Sequence, residues 1–383
     1  TFKSGVDMLA LDVQVVDRDG APLVGLLADD FTVTINNHAR RVTSAELVRF
    51  DSPGALAIPS AGAIASINTP GRIGADSRIF VVAVDDASFA TGALRPAMMA
   101  TERFMRNLRP TDMVGVYRFP YDRPAVDITH DHTAAIKSLA GIVGRREDRV
   151  DFFELRPSEI IDITAGDASV IQRVVQRECR AANGEMPDVL CPNLVKSQAS
   201  MAAAYYESDA AQRLFGLGML IQELGRLPGH KNIVLISGGL LATSRVGGRP
   251  DVRAMMSRLG ELAARANVTT YILHVDDAFT ESISIARSSS HRAADQSISM
   301  MADSDAYATG LEHLAGETGG VYLPIRAGTG DLAFGRVLRE TTAYYLLGVE
   351  PTAEDWNGRK LMVNVKTRAK GAIVRSLREV IAR

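Results

Sequence analysis

Residues 78–84, Arg-Ile-Phe-Val-Val-Ala-Val, form a near-continuous apolar run. That is the pattern of a strand covered on both faces, and so of a parallel sheet flanked by helices. An amphipathic segment follows: Ala97, Ala100, Phe104 and Leu108 share one face, Glu102, Arg103 and Arg106 avoid it, and Pro96 sits near its first turn. The same rhythm continues along the chain. Strands are expected over 113–119, 232–237, 268–275 and 320–325, with a short edge strand at 125–129. Helices are expected from Thr133 to near Gly144 and over 168–179, 193–227, 251–266 and 311–317, with a Ser-rich loop near 278–304. In the longest helix Leu214, Leu217, Ile221 and Leu224 hold the buried stripe, and Pro228-Gly229 stop it. Apolar strands alternating with amphipathic helices give an α/β fold with a doubly covered parallel sheet.

Both ends of the chain read differently. Leu9, Leu11, Val13 and Val15 alternate with Ala10, Asp12 and Gln14, Asp19-Gly20 supplies a turn, and Phe31, Val33 and Ile35 alternate again before Asn36-Asn37 and a third strand over 41–50. Near the other end Tyr345, Leu347 and Val349 alternate, Leu361, Val363 and Val365 repeat the pattern, and 373–376 adds a short strand. Neither block has enough strands to bury a core alone, but about six together suffice for a small sandwich. The division expected is therefore a β-sandwich part at 1–50, a linker at 51–76, an inserted α/β domain at 77–340 carrying an insertion at 150–192, and a second β-sandwich part at 341–383.

The 383 residues exceed the size at which one core usually stops growing, which agrees with two domains. A formal net charge of −2 with evenly spread arginines argues against nucleic acid as a partner. No run of about 18 apolar residues occurs, so no transmembrane segment is expected. The two cysteines, Cys179 and Cys191, enclose a short polar segment containing Gly184 and Pro187. Such a loop brings two Cα atoms within bonding range, and a bridge there is expected. It would contribute on the order of 3 kcal/mol by the chain-entropy model. A disulfide places the chain outside the cytoplasm, periplasmic or secreted, with a signal peptide already removed before Thr1.

Open parallel sheets bind ligands beyond the carboxyl ends of their strands. The residues there are Asp85, Asp86 and Ser88 after the first strand of the α/β domain, Ser237-Gly238-Gly239 after the fourth, and Asp276-Asp277 after the fifth. Dinucleotide binding would need a glycine-rich turn after the first strand, whereas the sequence is VDDASFATG, whose carboxylates repel phosphate. A nucleophile elbow at Ser237 would need glycine at position 235, where Leu235 stands.

The order of strand, DxS and helix, then LRPTDMVGVYRF, LPGHKNIVLISGGL and HLAGETGGVYLP, resembles a von Willebrand factor A domain. The flanks VQVVDRDGAPLVGLLADDFTV and TTAYYLLGVEPTAEDWNGRKLMVNVKTR resemble the VWFA-related acidobacterial domain family, whose members are usually exported and in which a β region brackets the A domain. The resemblance implies a Rossmann-like A domain inserted in a small β-sandwich formed by both termini. It also implies a place for a metal-ion-dependent adhesion site, where a divalent cation is held by a DxSxS loop, a threonine and a further aspartate. Here Asp86 and Ser88 match the first two positions, but Ala90 replaces the second serine, Ser237-Gly238-Gly239 lacks the aspartate, and Thr164 is the best candidate threonine. Asp85, Ser237, Asp276 and Asp277 are the remaining oxygens at that crest.

Other candidates have plain readings. His130 and His132 in THDHT fit a solvated loop, His274 fits a hydrogen-bonded core histidine, and Gly216 and Gly218 fit a close backbone approach. The expectation for the whole is an extracytoplasmic protein-binding or assembly module with a degenerate adhesion site, no catalytic residues and no required cofactor. The alternative is a cation-dependent adhesion domain using Mg²⁺ or Ca²⁺ on Asp86 and Ser88; an enzyme or a structural subunit of a larger complex comes third.

Overall fold

The computed structural model describes residues 8–50, 77–120, 124–146, 152–179, 190–276, 291–326, 329–356, 360–376 and 379–381. The expected linker at 51–76 and Asp277 lie outside these described residues. In chain order, β1 (Leu9–Val16), β2 (Phe31–Ile35), β3 (His38–Arg40) and β4 (Val42–Arg49) precede β5 (Ile79–Asp85) and α1 (Arg95–Arg106). Next come β6 (Met113–Phe119), β7 (Pro124–Thr129), α2 (His132–Leu139), α3 (Pro157–Thr164), α4 (Ala168–Glu178) and α5 (Cys191–Leu224). β8 (Lys231–Ser237), α6 (Arg253–Arg265), β9 (Val268–Val275), α7 (His291–Glu317), β10 (Val321–Ile325) and α8 (Gly330–Glu340) follow. β11 (Ala343–Val349), β12 (Lys360–Thr367), β13 (Ile373–Ser376) and β14 (Glu379–Ile381) complete the order.

The central sheet has six strands in the order β10-β9-β8-β5-β6-β7. All its neighbours are parallel except β7, which runs antiparallel to β6 at the edge. Every residue of β5 is buried. Phe80, Val82 and Val84 face a cluster with Phe104 of α1 and Phe334 of α8. Ile79, Val81 and Ala83 face the opposite cluster with Leu217 and Ile221 of α5 and Leu259 of α6. The unbroken apolar run therefore feeds two cores at once, as a doubly covered strand must. This part of the chain is a mixed α/β fold built on a parallel sheet.

The terminal segments form two further four-stranded sheets, ordered β13-β1-β11-β4 and β14-β12-β2-β3. Each joins strands from both ends: β1 pairs with β11 and β13, and β2 pairs with β12. Leu11, Val13, Val33, Ile35, Leu347, Val363 and others of the two sheets share one apolar cluster. β1 departs from the half-buried pattern, because seven of its eight residues are buried. Its second face packs on the α/β unit. Gln14 Nε2 donates to the Glu340 carbonyl at 3.2 Å, and Asn267 Nδ2 donates to Asp12 Oδ2 at 2.9 Å. Glu340, fully buried, accepts from Arg336 at 2.8 Å and from Arg375 at 2.5 Å, tying α8 to β13. Charged groups at this seam are buried in pairs, as burial requires.

The insertion folds as a third cluster. α3, α4 and the first half of α5 bury Ile160, Val174, Val195 and Ala199 together. Cys179 and Cys191 are disulfide-bonded with Cα atoms 6.0 Å apart, linking the end of α4 to the start of α5. α5 spans 34 residues, about 50 Å, and buries one continuous stripe that changes partner along the way, with Val195 and Ala199 against the insertion and Leu214 and Ile221 against the sheet. Gly216 allows the Pro120 backbone to approach, since a Cβ there would lie 3.0 Å from its carbonyl oxygen.

Three helices differ from expectation, the first being α3, because only 168–179 of the insertion was expected to be helical. α7 begins at His291, so 291–304 is helical rather than loop. Serines and short polar residues are weak helix formers in isolation, but Asp303 and Ser304 bond to Ser158 and Asp276 and hold this stretch in place. α8 was not anticipated at all. It has one apolar face, Ala333, Phe334 and Val337, which is too short a run to stand out between glycines.

Candidate functional site

From β5 the chain crosses to β6 on one side of the sheet, while β8 and β9 lie on the other, so the switch point of the topology is between β5 and β8. Open α/β sheets bind ligands there, at the carboxyl ends of the strands. Asp85 and Ser237 end these two strands and touch: Ser237 Oγ donates to Asp85 Oδ2 at 2.8 Å. A single turn, Asp86–Ser88, follows Asp85. Ser88 Oγ donates to the Asp85 carbonyl at 2.6 Å and accepts from Gly238 N–H at 2.7 Å, which locks the two strand ends together. Gly239 has φ +131°, and a Cβ there would lie 2.6 Å from Tyr307 Cβ. Only glycine fits that turn.

Both aspartates are buried beside cations, Asp86 bonded through both oxygens and Asp85 through Oδ2 alone, with its buried Oδ1 unpartnered among the described residues. Asp86 is fully buried and accepts from Arg145 through both oxygens, at 2.8 and 3.0 Å, in the bidentate geometry favoured by guanidinium and carboxylate. Arg145 N–H also donates to the Asp86 carbonyl. Asp85 is 3% exposed, and its Oδ2 takes a further contact from Arg213 at 3.3 Å. Burial pushes the Asp85 carboxyl above its ordinary range, and Arg213 and the Ser237 hydroxyl pull it partly back. Arg213, itself well buried, also pairs with Asp209 one helical turn earlier and donates to the Gly239 carbonyl at 2.9 Å.

A cation held by Asp86 and Ser88 does not fit this arrangement. Both Asp86 oxygens bond a guanidinium, and the Ser88 hydroxyl is spent on Asp85 and Gly238. Divalent ions of this class take six or more oxygens, and two positive side chains stand among the few available here. Asp276 accepts from Ser304 Oγ at 2.7 Å, at the end of β9. Thr164 donates to the Ile160 carbonyl within α3 and accepts from Arg249 N–H, so its hydroxyl serves the insertion. Among the described residues no cluster of three His, Cys, Asp or Glu side chains is arranged to hold a metal.

Above these groups lies a cleft of about 680 Å³ lined by Ser88, Arg145, Arg146, Arg213, Gly238, Gly239, Asp209, Asp303 and the tyrosines 205, 206 and 307. Solved structures similar to this chain include the following two. One is described as the crystal structure of the conserved hypothetical protein BatB from Bacteroides thetaiotaomicron, at 11% identity over 69% of this chain and 98% of that one, with a TM-score of 0.31. The other is described as the SpRpn10 VWA domain, at 11% identity over 69% of this chain and 96% of that one, with a TM-score of 0.28. No family model and no curated protein matches the chain.

The remaining candidates have structural duties. Asp131 caps α2 by accepting from Ala134 N–H, and His132 Nε2 contacts the Asp112 carbonyl at 2.8 Å, so THDHT is a helix entry. His274 is buried with Nδ1 2.7 Å from the Tyr322 hydroxyl, and burial holds its pKa down. The side chains that sequence reasoning missed are Arg145, Arg146 and Arg213. Arg145 lies 59 residues from its partner Asp86, and Arg213 lies 128 from Asp85, separations that no local pattern encodes.

Proposed function

We propose that this chain is a protein-binding or assembly module of von Willebrand factor A type, acting without catalysis through the crest cleft at the β5–β8 switch point. The cleft carries the reading: it sits where such sheets take ligands, and its acids are neutralised internally rather than held ready for a metal. α5 supports it with a line of exposed apolar side chains, Leu194, Met201, Tyr205, Phe215 and Met219, of which Tyr205 borders the cleft. Exposed apolar surface of this extent beside a polar cleft is characteristic of protein contact sites. We read the two terminal sheets as one split β-sandwich that carries the module. The disulfide favours an extracytoplasmic location, and no helix among the described residues is long and apolar enough to cross a membrane.

The test is site-specific photo-crosslinking in the native cell. A photoreactive residue replacing Tyr205, at the cleft, is expected to give a discrete adduct, whereas one replacing exposed Val24 on the β unit is not. Equal labelling from both positions, or none from position 205, refutes the reading.

A further inference from the structure

The guanidinium groups of the cleft are not equivalent. Arg145 is committed to Asp86, and Arg213 is shared by Asp85, Asp209 and the Gly239 carbonyl. Asp303 accepts from Ser158 and lies 3.6 Å from Arg156. Every acid bordering the cleft therefore has a basic partner. Arg146 is the exception on the other side. Its N–H donates to the Phe89 carbonyl at 2.8 Å, which fixes its backbone at the rim, and its Nη1 reaches only the Ser88 carbonyl at 3.5 Å. Among the described residues no carboxylate pairs with it, and it is exposed to the cleft. Ser208, Gln212 and Tyr206 lie around the same space and add uncharged hydrogen-bonding groups.

We propose that this cleft binds a carboxylate of a partner polypeptide, an Asp or Glu side chain or a C-terminus, directly through Arg146 and without a cation. The inference rests on the protein-binding reading above and names the chemistry of its ligand. A guanidinium presents a planar fork of donors that matches a carboxylate in a bidentate pair. The nearby phenol rings of Tyr205, Tyr206 and Tyr307 offer flat, amphipathic surface for the residues flanking the acid. One unpaired guanidinium balances one negative charge. A phosphate dianion carries twice the charge that this single guanidinium offsets, because the neighbouring cations Arg156 and Arg213 are already paired with Asp303 and Asp209.

The experiment selects ligands for the intact protein from a displayed library of random short peptides in EDTA. Enriched sequences are expected to share an acidic residue. Changing that residue to its amide, or Arg146→Ala in the protein, should each weaken binding about tenfold or more. The two changes together should cost no more than either alone, and Arg146→Lys should restore part of the loss. Enrichment of peptides without a carboxylate overturns the inference, as does affinity indifferent to Arg146→Ala, dependence on Mg²⁺ or Ca²⁺, or no enrichment above that obtained with Arg146→Ala. Displacement of the selected peptide by inorganic phosphate at lower concentration than by acetate would also overturn it. Each of these outcomes leaves the protein-binding reading intact if the crosslink at position 205 still forms; loss of that crosslink sinks the broader reading instead.

Discussion

Arg145→Ala is the most informative single perturbation of the crest. It removes both donors from Asp86, a carboxylate with no exposed surface, and leaves that charge buried. Breaking a fully buried ion pair from one side costs about 3–5 kcal/mol. The Arg145 side chain is 39% exposed, so solvent reaches the pair, and about 2 kcal/mol is expected instead. For a unit of this size that loss lowers the melting temperature by about 4–8 °C. Removing both partners, Arg145→Ala with Asp86→Ala, should cost no more than Arg145→Ala alone, because no charge is then stranded. Millimolar Mg²⁺ or Ca²⁺ should raise the melting temperature of the Arg145→Ala protein, where the carboxylate has lost its cation, and leave the wild type unchanged. Scanning calorimetry with and without the ions reads all of this. An Arg145→Ala protein within about 0.5 kcal/mol of wild type would show that the guanidinium does not neutralise Asp86, and the reasoning fails.

Other perturbations test the scaffold. Burial pushes the Lys231 pKa down to about 8, so between there and its unfolded value the unfolded chain binds the extra proton and stability rises with pH; Lys231→Met should flatten that slope in urea titrations across the same window. Glu340→Gln weakens the partner of Arg336 and Arg375 at the seam, and a loss of about 2–3 kcal/mol in chemical denaturation is expected. Gly310→Ala would place a Cβ 1.9 Å from the Leu240 carbonyl oxygen, so helix and crest must separate, with a loss of at least about 2 kcal/mol by thermal melting. Reduction should add two hydrogens to the intact mass and lower stability by about 3 kcal/mol through the Cys179–Cys191 loop; two free thiols in freshly isolated protein would remove that contribution.

What could be read in the chain was what is local. The run at 78–84 announced a doubly covered strand because all its residues after Arg78 are apolar, and β5 is buried on both faces. Asp86 and Ser88 could be placed at the crest because a strand end is defined by its own residues. The occupants of that crest could not, since the guanidinium groups arrive from a loop and from α5 by way of the tertiary fold. Asp12 and Gln14 looked like the solvent face of a half-buried strand, and they instead form the polar seam with Asn267, Tyr271 and Glu340. A period of two reports which residues share a face and says nothing of what covers the other.

Isothermal titration of the native wild-type protein with Mg²⁺ and with Ca²⁺ asks most directly whether arginine has taken the place of an ion at the switch point. With Asp86 held by Arg145 and Asp85 by Arg213, no saturable binding is expected from either ion. Stoichiometric binding that Asp86→Ala abolishes would contradict it.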